Sequence, residues 1–254
     1  MSPDKGQVTY EIREGIAMIT FSHPSHNSLP AELLKDLQES IVKASSAKEV
    51  KAILLQSEGE RTFCAGANFD ELRAVTNQKE GFAFFMGFAR VINAIREAEK
   101  FVICRVQGKA VGGGVGLIAA ADYTMSTKWG SVRLSELQLG IGPFVIGPAV
   151  ERKLGRSAFM EMAINASEWQ TAEWAREHGL YHELFDKIEQ LDDYMEQFLE
   201  RIRNYSPAAM KHLKQVFWQG TENWDILLKE RAQISGDLLL TPEAQQAINK
   251  LATT

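Results

Sequence analysis

Two glycine-centred turns constrain the fold of this chain more than any other feature of its sequence. The first runs from Phe63 to Asn68 and the second from Ala110 to Gly116, and each follows a short apolar run. Each pattern is typical of a strand that turns sharply into a helix. Small residues let a ligand approach the backbone, and free N–H groups at a helix N-terminus can bind an anionic oxygen. Two such turns side by side can bracket one carbonyl oxygen.

Strand and helix patterns alternate around these turns. Apolar runs predict strands, and apolar residues at helical spacing predict helices. The predicted strands are Val8 to Ile12, Ile16 to Phe21, Ala52 to Leu55 and Phe101 to Cys104, and the helices are Pro30 to Ala47, Gly81 to Ala98 and Gly113 to Ala121. After Pro143 the predicted elements are mainly helices, which are Val145 to Lys153, Ser157 to Asn165, Thr171 to His178, Ile188 to Arg203, Pro207 to Trp218, Asn223 to Asp237 and Pro242 to Lys250. We therefore expect an α/β fold in which residues 1–200 form the core and residues 201–254 form an appended helical region.

Composition excludes several classes of function. The 254-residue chain carries a net charge of −5, and its basic residues are scattered, so nucleic acid is not an expected partner. No apolar segment is long enough to span a bilayer, and the N-terminus lacks a signal-peptide pattern, so we expect a soluble cytoplasmic protein. The only two cysteines, Cys64 and Cys104, cannot build a disulfide framework or a cysteine metal site, and we expect buried thiols.

A third segment, Leu134 to Gly140, follows the second turn. With these three pieces in this order, the chain resembles the crotonase, or enoyl-CoA hydratase/isomerase, superfamily, and the resemblance extends from His23 to Ala247. It implies a spiral of repeated ββα units that carries an acyl-CoA site, with C-terminal helices that cover the pocket and contact neighbouring subunits. A homotrimer or a dimer of trimers is the implied assembly.

The resemblance also assigns roles to the turns. It places the oxyanion donors at the backbone N–H groups of Ala67 and Gly113. It implies that main-chain groups contact an acyl-CoA thioester at Ala65, Gly66, Ala67, Asn68, Gly112 and Gly113. Coenzyme A is then part of the substrate, so neither a separate cofactor nor a metal is expected. We interpret Asn68 as a turn residue that bonds its own backbone rather than as a catalytic group.

The acid-base residues distinguish between reactions. Hydratases of this superfamily use two glutamates, whereas here the first position is Gly116 and only the second, Glu136, is a carboxylate. One carboxylate suits a proton shuttle. The run from Glu136 to Phe144 also resembles Δ3,Δ2-enoyl-CoA isomerases, in which one base moves a proton from C2 to C4. An apolar Phe144 would raise the pKa of Glu136.

Other interpretations stay open at this point. A hydratase would need a second acid from elsewhere, such as Asp70 or Glu71, and a decarboxylase would need little beyond the oxyanion donors. A non-catalytic acyl-CoA-binding or scaffold protein is the alternative from another class. Gly116 either allows close helix packing or leaves room for substrate or water.

The histidines are weaker candidates. His178 and His182 have a spacing found in some zinc sites, but Gly179 interrupts any helix between them, which favours a helix end followed by a strand. His23 and His26 lie in a predicted loop that either approaches the coenzyme or has no function.

Overall fold

Strands from successive parts of the chain alternate between two sheets in the computed structural model, which describes residues 6–251. The strands are β1 (Gln7–Arg13), β2 (Ile16–Ser22), β3 (Ala52–Ser57), β4 (Thr62–Cys64), β5 (Phe101–Val106), β6 (Lys109–Val111), β7 (Tyr123–Thr127), β8 (Val132–Arg133) and β9 (Glu183–Phe185). The larger sheet has the order β1-β2-β3-β5-β7-β9, and the smaller has the order β4-β6-β8. The hairpin of β1 and β2 is antiparallel, and the other neighbours in both sheets are parallel.

The strands occur in pairs along the chain. In β3–β4, β5–β6 and β7–β8 the first strand joins the larger sheet and the second joins the smaller one, and helical structure follows each pair. This arrangement confirms the predicted spiral of ββα units. The sequence patterns missed β7, because its hydroxyl side chains look like those of a loop. In the structure they are buried, and Ser126 donates a hydrogen bond to the Val106 carbonyl.

The helices follow the predicted pattern closely. They are α1 (Ala31–Ser46), α2 (Phe69–Ala74), α3 (Gln78–Glu97), α4 (Gly113–Ala120), α5 (Gly147–Leu154), α6 (Arg156–Ile164), α7 (Ala172–Glu177), α8 (Ile188–Arg203), α9 (Pro207–Phe217), α10 (Trp224–Leu239) and α11 (Pro242–Leu251). The short α2 was not predicted separately from the first turn. None of the helices within residues 6–251 is long and apolar enough to cross a membrane.

Side chains of the larger sheet point alternately into two apolar clusters. Ile53 and Leu55 join the main cluster with α1, α3 and α4, whereas Leu54 faces the opposite side and belongs to a second cluster with Leu199 of α8. Burial on both faces explains why β3 is apolar at consecutive positions.

The C-terminal helices extend the main cluster. Leu228 and Ala232 of α10 and Ile248 of α11 are buried in the same cluster as α3. The boundary expected at residue 200 lies within α8, and the division into two regions stays a prediction.

A buried ion pair ties α9 to the segment between α4 and β7. The Lys214 ammonium lies 2.8 Å from the Asp122 carboxylate, and the side chains are 3% and 4% exposed. The same carboxylate accepts hydrogen bonds from the Trp218 indole and the Val102 amide. Since every oxygen of the carboxylate has a donor, the pair is well satisfied despite its burial.

Candidate active site

The smaller sheet brings the three predicted motifs together. In the register of β4, β6 and β8, Cys64 lies opposite Ala110, and Val111 lies opposite Arg133. The strands are parallel, so the turn after each strand emerges at the same edge of the sheet. The first turn, the second turn and the segment that begins at Glu136 therefore lie side by side.

Two glycines in these turns have backbone conformations that disfavour side chains. Gly66 has φ +87° and Gly112 has φ +51°. A Cβ atom at Gly66 would lie 2.8 Å from the Val111 carbonyl oxygen, and one at Gly112 would lie 2.7 Å from Oε1 of Glu136. The absence of side chains thus allows the two turns to touch and the Glu136 carboxyl group to lie against the second turn.

The backbone N–H groups of Ala67 and Gly113 are free within residues 6–251, since neither donates a hydrogen bond there. Gly113 is the first residue of α4, where an N–H has no intrahelical partner. Both residues line one pocket, and the backbone nitrogen of Gly113 lies 3.6 Å from the position of a Cβ atom on Gly66. The two turns therefore present unused donors to a common space.

That pocket is a narrow cavity of about 60 Å³. Its apolar walls come from α2, α3 and the segment after Glu136. The described apolar residues of these walls are Phe69, Leu72, Phe85, Phe88, Leu139, Ile141, Pro143, Phe144, Val145 and Ile146. The lining also includes Ala65, Gly66, Ala67, Gly112 and Gly113, and their contacts with an acyl-CoA stay a prediction. Among the described residues that line the pocket, Glu136 is the sole ionisable side chain.

Glu136 begins a 3₁₀ helix, Glu136–Leu139, directly after β8. The buried side chains of Leu134 and Leu139 anchor the segment on both sides of it. Its Oε2 atom is buried and has no hydrogen-bond partner within residues 6–251. Burial raises the pKa of Glu136 to about 7, a hydrogen bond from its own backbone N–H lowers it, and the positive charge of Arg133 opposes the rise more weakly. The carboxyl group therefore titrates near neutral pH and can both accept and return a proton.

Gly116 packs closely and leaves no room for substrate or water at its Cα. A Cβ atom there would lie 2.5 Å from Cγ2 of Ile146 and 2.8 Å from its Cβ. The structure therefore supports the interpretation that Gly116 allows close packing, rather than the one in which it leaves room for substrate or water. The side chain of Ile146, which lines the pocket, thus occupies the space beside Gly116.

Other candidate polar residues of the first turn do not line the pocket. Asn68 is buried at the N-terminus of α2, where its side-chain oxygen accepts hydrogen bonds from the amides of Asp70 and Glu71. This confirms its interpretation as a turn residue, and its contact with coenzyme A stays a prediction. Asp70 is exposed, and the Glu71 carboxylate accepts a 2.7 Å hydrogen bond from the Ala31 amide at the start of α1.

Three of the four candidate histidines, His23, His178 and His182, form hydrogen-bond contacts. His178 directly follows α7, and its Nδ1 atom lies 2.9 Å from the Trp174 carbonyl oxygen. His182 directly precedes β9, and its Nδ1 atom accepts a hydrogen bond from the Thr124 amide. The helix end followed by a strand is thus the correct interpretation. His23 contacts the amide of Ser25 in its own loop. Within residues 6–251, no three His, Cys, Asp or Glu side chains are grouped to hold a metal ion.

The two cysteines are buried free thiols, as expected. Burial raises the pKa of Cys64 to about 12, and it raises that of Cys104 further. Neither thiol is available as a nucleophile near neutral pH.

One residue of the pocket, Ser235 on α10, was not identified from the sequence. It lies far along the chain from the glycine turns, and a serine in a helix is usually exposed. The available signal is its helical spacing with Ala232 and Leu239, which are both fully buried.

Comparison with known proteins agrees with this geometry. The family model described as Enoyl-CoA hydratase/isomerase matches residues 11–248. The chain is 28% identical over 242 residues to a short-chain-enoyl-CoA hydratase of Clostridium acetobutylicum, a match that covers 93% of this chain and 91% of the relative. The crystal structure of an enoyl-CoA hydratase from Bacillus halodurans has the same fold, with a TM-score of 0.88 and 20% identity over 96% of this chain and 99% of that one.

The chain is also similar, over a shorter segment, to the ethylmalonyl-CoA decarboxylase of Xenopus tropicalis, with 28% identity over 130 residues. It includes 51% of this chain and only 43% of that relative's length. The family model, by contrast, spans nearly all of the described residues, including both glycine turns and Glu136. The chain therefore belongs to the enoyl-CoA hydratase/isomerase family.

Proposed function

We propose that this protein moves the double bond of a 3-enoyl-CoA to the 2-position, with Glu136 as the proton shuttle. The observation that carries the proposal is that the described residues of the pocket provide one ionisable side chain, whose carboxyl group lies against the second glycine turn. The proposal rests on the family's acyl-CoA chemistry and on this single carboxyl group.

In the proposed reaction Glu136 acts twice, first as a base and then as an acid. The Glu136 carboxylate removes a proton from C2, and the electron pair of that C–H bond moves into the thioester to form a dienolate. The N–H groups of Ala67 and Gly113 stabilise the negative charge on its oxygen. The dienolate then takes the proton from Glu136 at C4 as the C2–C3 double bond forms, which restores the carboxylate. A base with a pKa of about 7 suits both halves of this transfer.

The surroundings of Glu136 support isomerisation over addition of water. Hydration needs one group to activate water and another to protonate C2. Ile146 packs against Gly116, the position that matches the first glutamate of a hydratase. Phe144 and Ile146 also keep that wall of the pocket apolar.

Hydration is the second candidate function. It is favoured by the similarity to the short-chain-enoyl-CoA hydratase of Clostridium acetobutylicum over nearly the whole chain. In this case Glu136 would have to serve both the water and C2, since Asp70 and Glu71 do not line the pocket.

The substrate is proposed to be a short acyl thioester. The narrow cavity and the rings of Phe85 and Phe88 on α3 support a short acyl chain. The coenzyme A moiety is proposed to bind along the backbone of Ala65 and Gly66 and needs no separate cofactor. The phosphates lie outside this apolar cavity in such a pose.

The chain is proposed to assemble as a trimer or a dimer of trimers. Met160 and Ile164 on α6 and Leu137 beside Glu136 are exposed apolar side chains, which supports a subunit contact on this face. The mass of the protein in solution tests this proposal.

The reaction itself is tested by incubating the protein separately with a 3-enoyl-CoA and a 2-enoyl-CoA of the same chain length. Migration of the double bond from the 3-enoyl thioester, without added water in the product, supports isomerisation. Mass spectrometry separates the two outcomes, because isomerisation leaves the mass unchanged. Water addition to the 2-enoyl thioester at a comparable rate would instead establish the hydratase.

The rate is expected to depend on the ionisation of Glu136. Because the carboxylate form removes the C2 proton, kcat/KM should rise with pH through about 7 and level off above it. One pH unit below that value, kcat/KM should be about tenfold below the plateau. A pH profile measured with a 3-enoyl-CoA checks this, and a profile that is flat from pH 5 to pH 9 would contradict it.

A further inference from the structure

Ser235 is a buried hydroxyl group without a partner. Its side chain is on α10, the residue is 1% exposed, and Oγ has no hydrogen-bond partner within residues 6–251. The residue also lines the pocket that contains Glu136. A buried hydroxyl that forms no hydrogen bond is costly, and such groups usually have a partner.

The backbone around Ser235 is held firmly in place. The next residue, Gly236, packs against Gly81 of α3, where a Cβ atom at Gly81 would lie 2.9 Å from the Gly236 carbonyl oxygen. Phe85 follows Gly81 by one helical turn and is itself part of the pocket wall. This close backbone contact places Ser235 beside the pocket, where its side chain is buried.

The chemistry of the pocket limits what Ser235 can bind. Apart from Ser235, its described polar side chains are Ser135 and Glu136, and the remaining walls are apolar. No Lys, Arg or His is among the described lining residues. A carboxylate bound at Ser235 would therefore be a buried charge without a counter-ion, which is strongly unfavourable. A neutral oxygen needs no counter-ion and satisfies the hydroxyl.

We propose that Ser235 is a specificity-determining residue that donates a hydrogen bond to a neutral oxygen, a hydroxyl or a ketone, on the acyl group of the substrate. This inference rests on the proposed function, because it takes the occupant of the pocket to be an acyl-CoA thioester. It names the substrate class as acyl groups with an uncharged oxygen beyond the reacting carbons. The rest of the acyl group contacts the apolar walls.

The test measures binding of unreactive saturated thioesters by calorimetry, so that turnover is not required. The probes are hexanoyl-CoA, 4-oxohexanoyl-CoA and 5-oxohexanoyl-CoA, which share one chain length and differ by a single carbonyl group. The proteins are the wild type, Ser235→Ala, Ser235→Cys and Gln233→Ala. Gln233 is exposed on the same helix and serves as the matched control.

The wild type is expected to bind one of the oxo thioesters more tightly than hexanoyl-CoA. Ser235→Ala should weaken binding of that oxo thioester by about 5- to 30-fold and leave hexanoyl-CoA nearly unchanged, because only the former loses a hydrogen bond. Ser235→Cys, with a weak donor of similar size, should fall between them, and Gln233→Ala should match the wild type.

Two results would overturn the inference in distinguishable ways. If hexanoyl-CoA binds and Ser235→Ala affects all three thioesters equally, Ser235 has no role in specificity, while the proposed function stands. If none of the thioesters binds to the folded wild type, the proposed function fails and this inference fails with it.

Discussion

Replacing Glu136 with Gln is expected to slow exchange of the C2 protons of a bound acyl-CoA by about 10²- to 10⁴-fold, because the described pocket contains no other base. Binding of the thioester should change little, since the amide is nearly the same size as the carboxyl group. The variant should also fold normally, because it replaces a buried carboxyl group whose Oε2 has no described partner. The measurement is incorporation of deuterium from solvent into butyryl-CoA, followed by mass spectrometry.

Gln138→Ala is the matched control, because Gln138 is exposed on the same 3₁₀ helix. It should exchange at the wild-type rate. Exchange that persists in Glu136→Gln would show that another group acts as the base. Binding without exchange in the wild type would favour a non-catalytic acyl-CoA-binding protein.

The largest effect on stability is expected from Asp122→Ala, which should lower the free energy of unfolding by about 3–5 kcal/mol. The substitution leaves the Lys214 ammonium buried without its counter-ion, at a site where the side chain is 3% exposed. It also removes the acceptor of the Trp218 indole N–H. Urea unfolding monitored by tryptophan fluorescence gives the difference.

An exposed ion pair, formed by another lysine of α9, provides the comparison for the stability effect. Lys211 lies three residues before Lys214 and pairs with Glu99, and the two side chains are 40% and 53% exposed. Solvent screens this pair, so Glu99→Ala should cost only about 0–1 kcal/mol. Equal losses in the two variants would show that burial of the Asp122 pair does not set its contribution.

Much of the fold follows from local patterns in the sequence. The helices α8 and α9 and the strands β2 and β5 lie where apolar spacing predicts them, because each buries one face or a short continuous run. The strand β7 was missed because its buried hydroxyls form hydrogen bonds with groups from distant parts of the chain, such as the Val106 carbonyl of β5 and the Gln107 carbonyl after it. That information is absent from the local sequence.

The features of the candidate site also divide into those set by local sequence and those set by tertiary packing. The sequence by itself determined the two glycine turns, Glu136 as the carboxyl group that follows them, and the absence of a carboxylate at Gly116, since these depend on residue type and order. Only the tertiary structure decided that the register of β4, β6 and β8 brings the turns and Glu136 to one edge. It likewise decided that Ile146 packs on Gly116 and that Ser235 lines the pocket, because both contacts join segments distant in sequence through close packing.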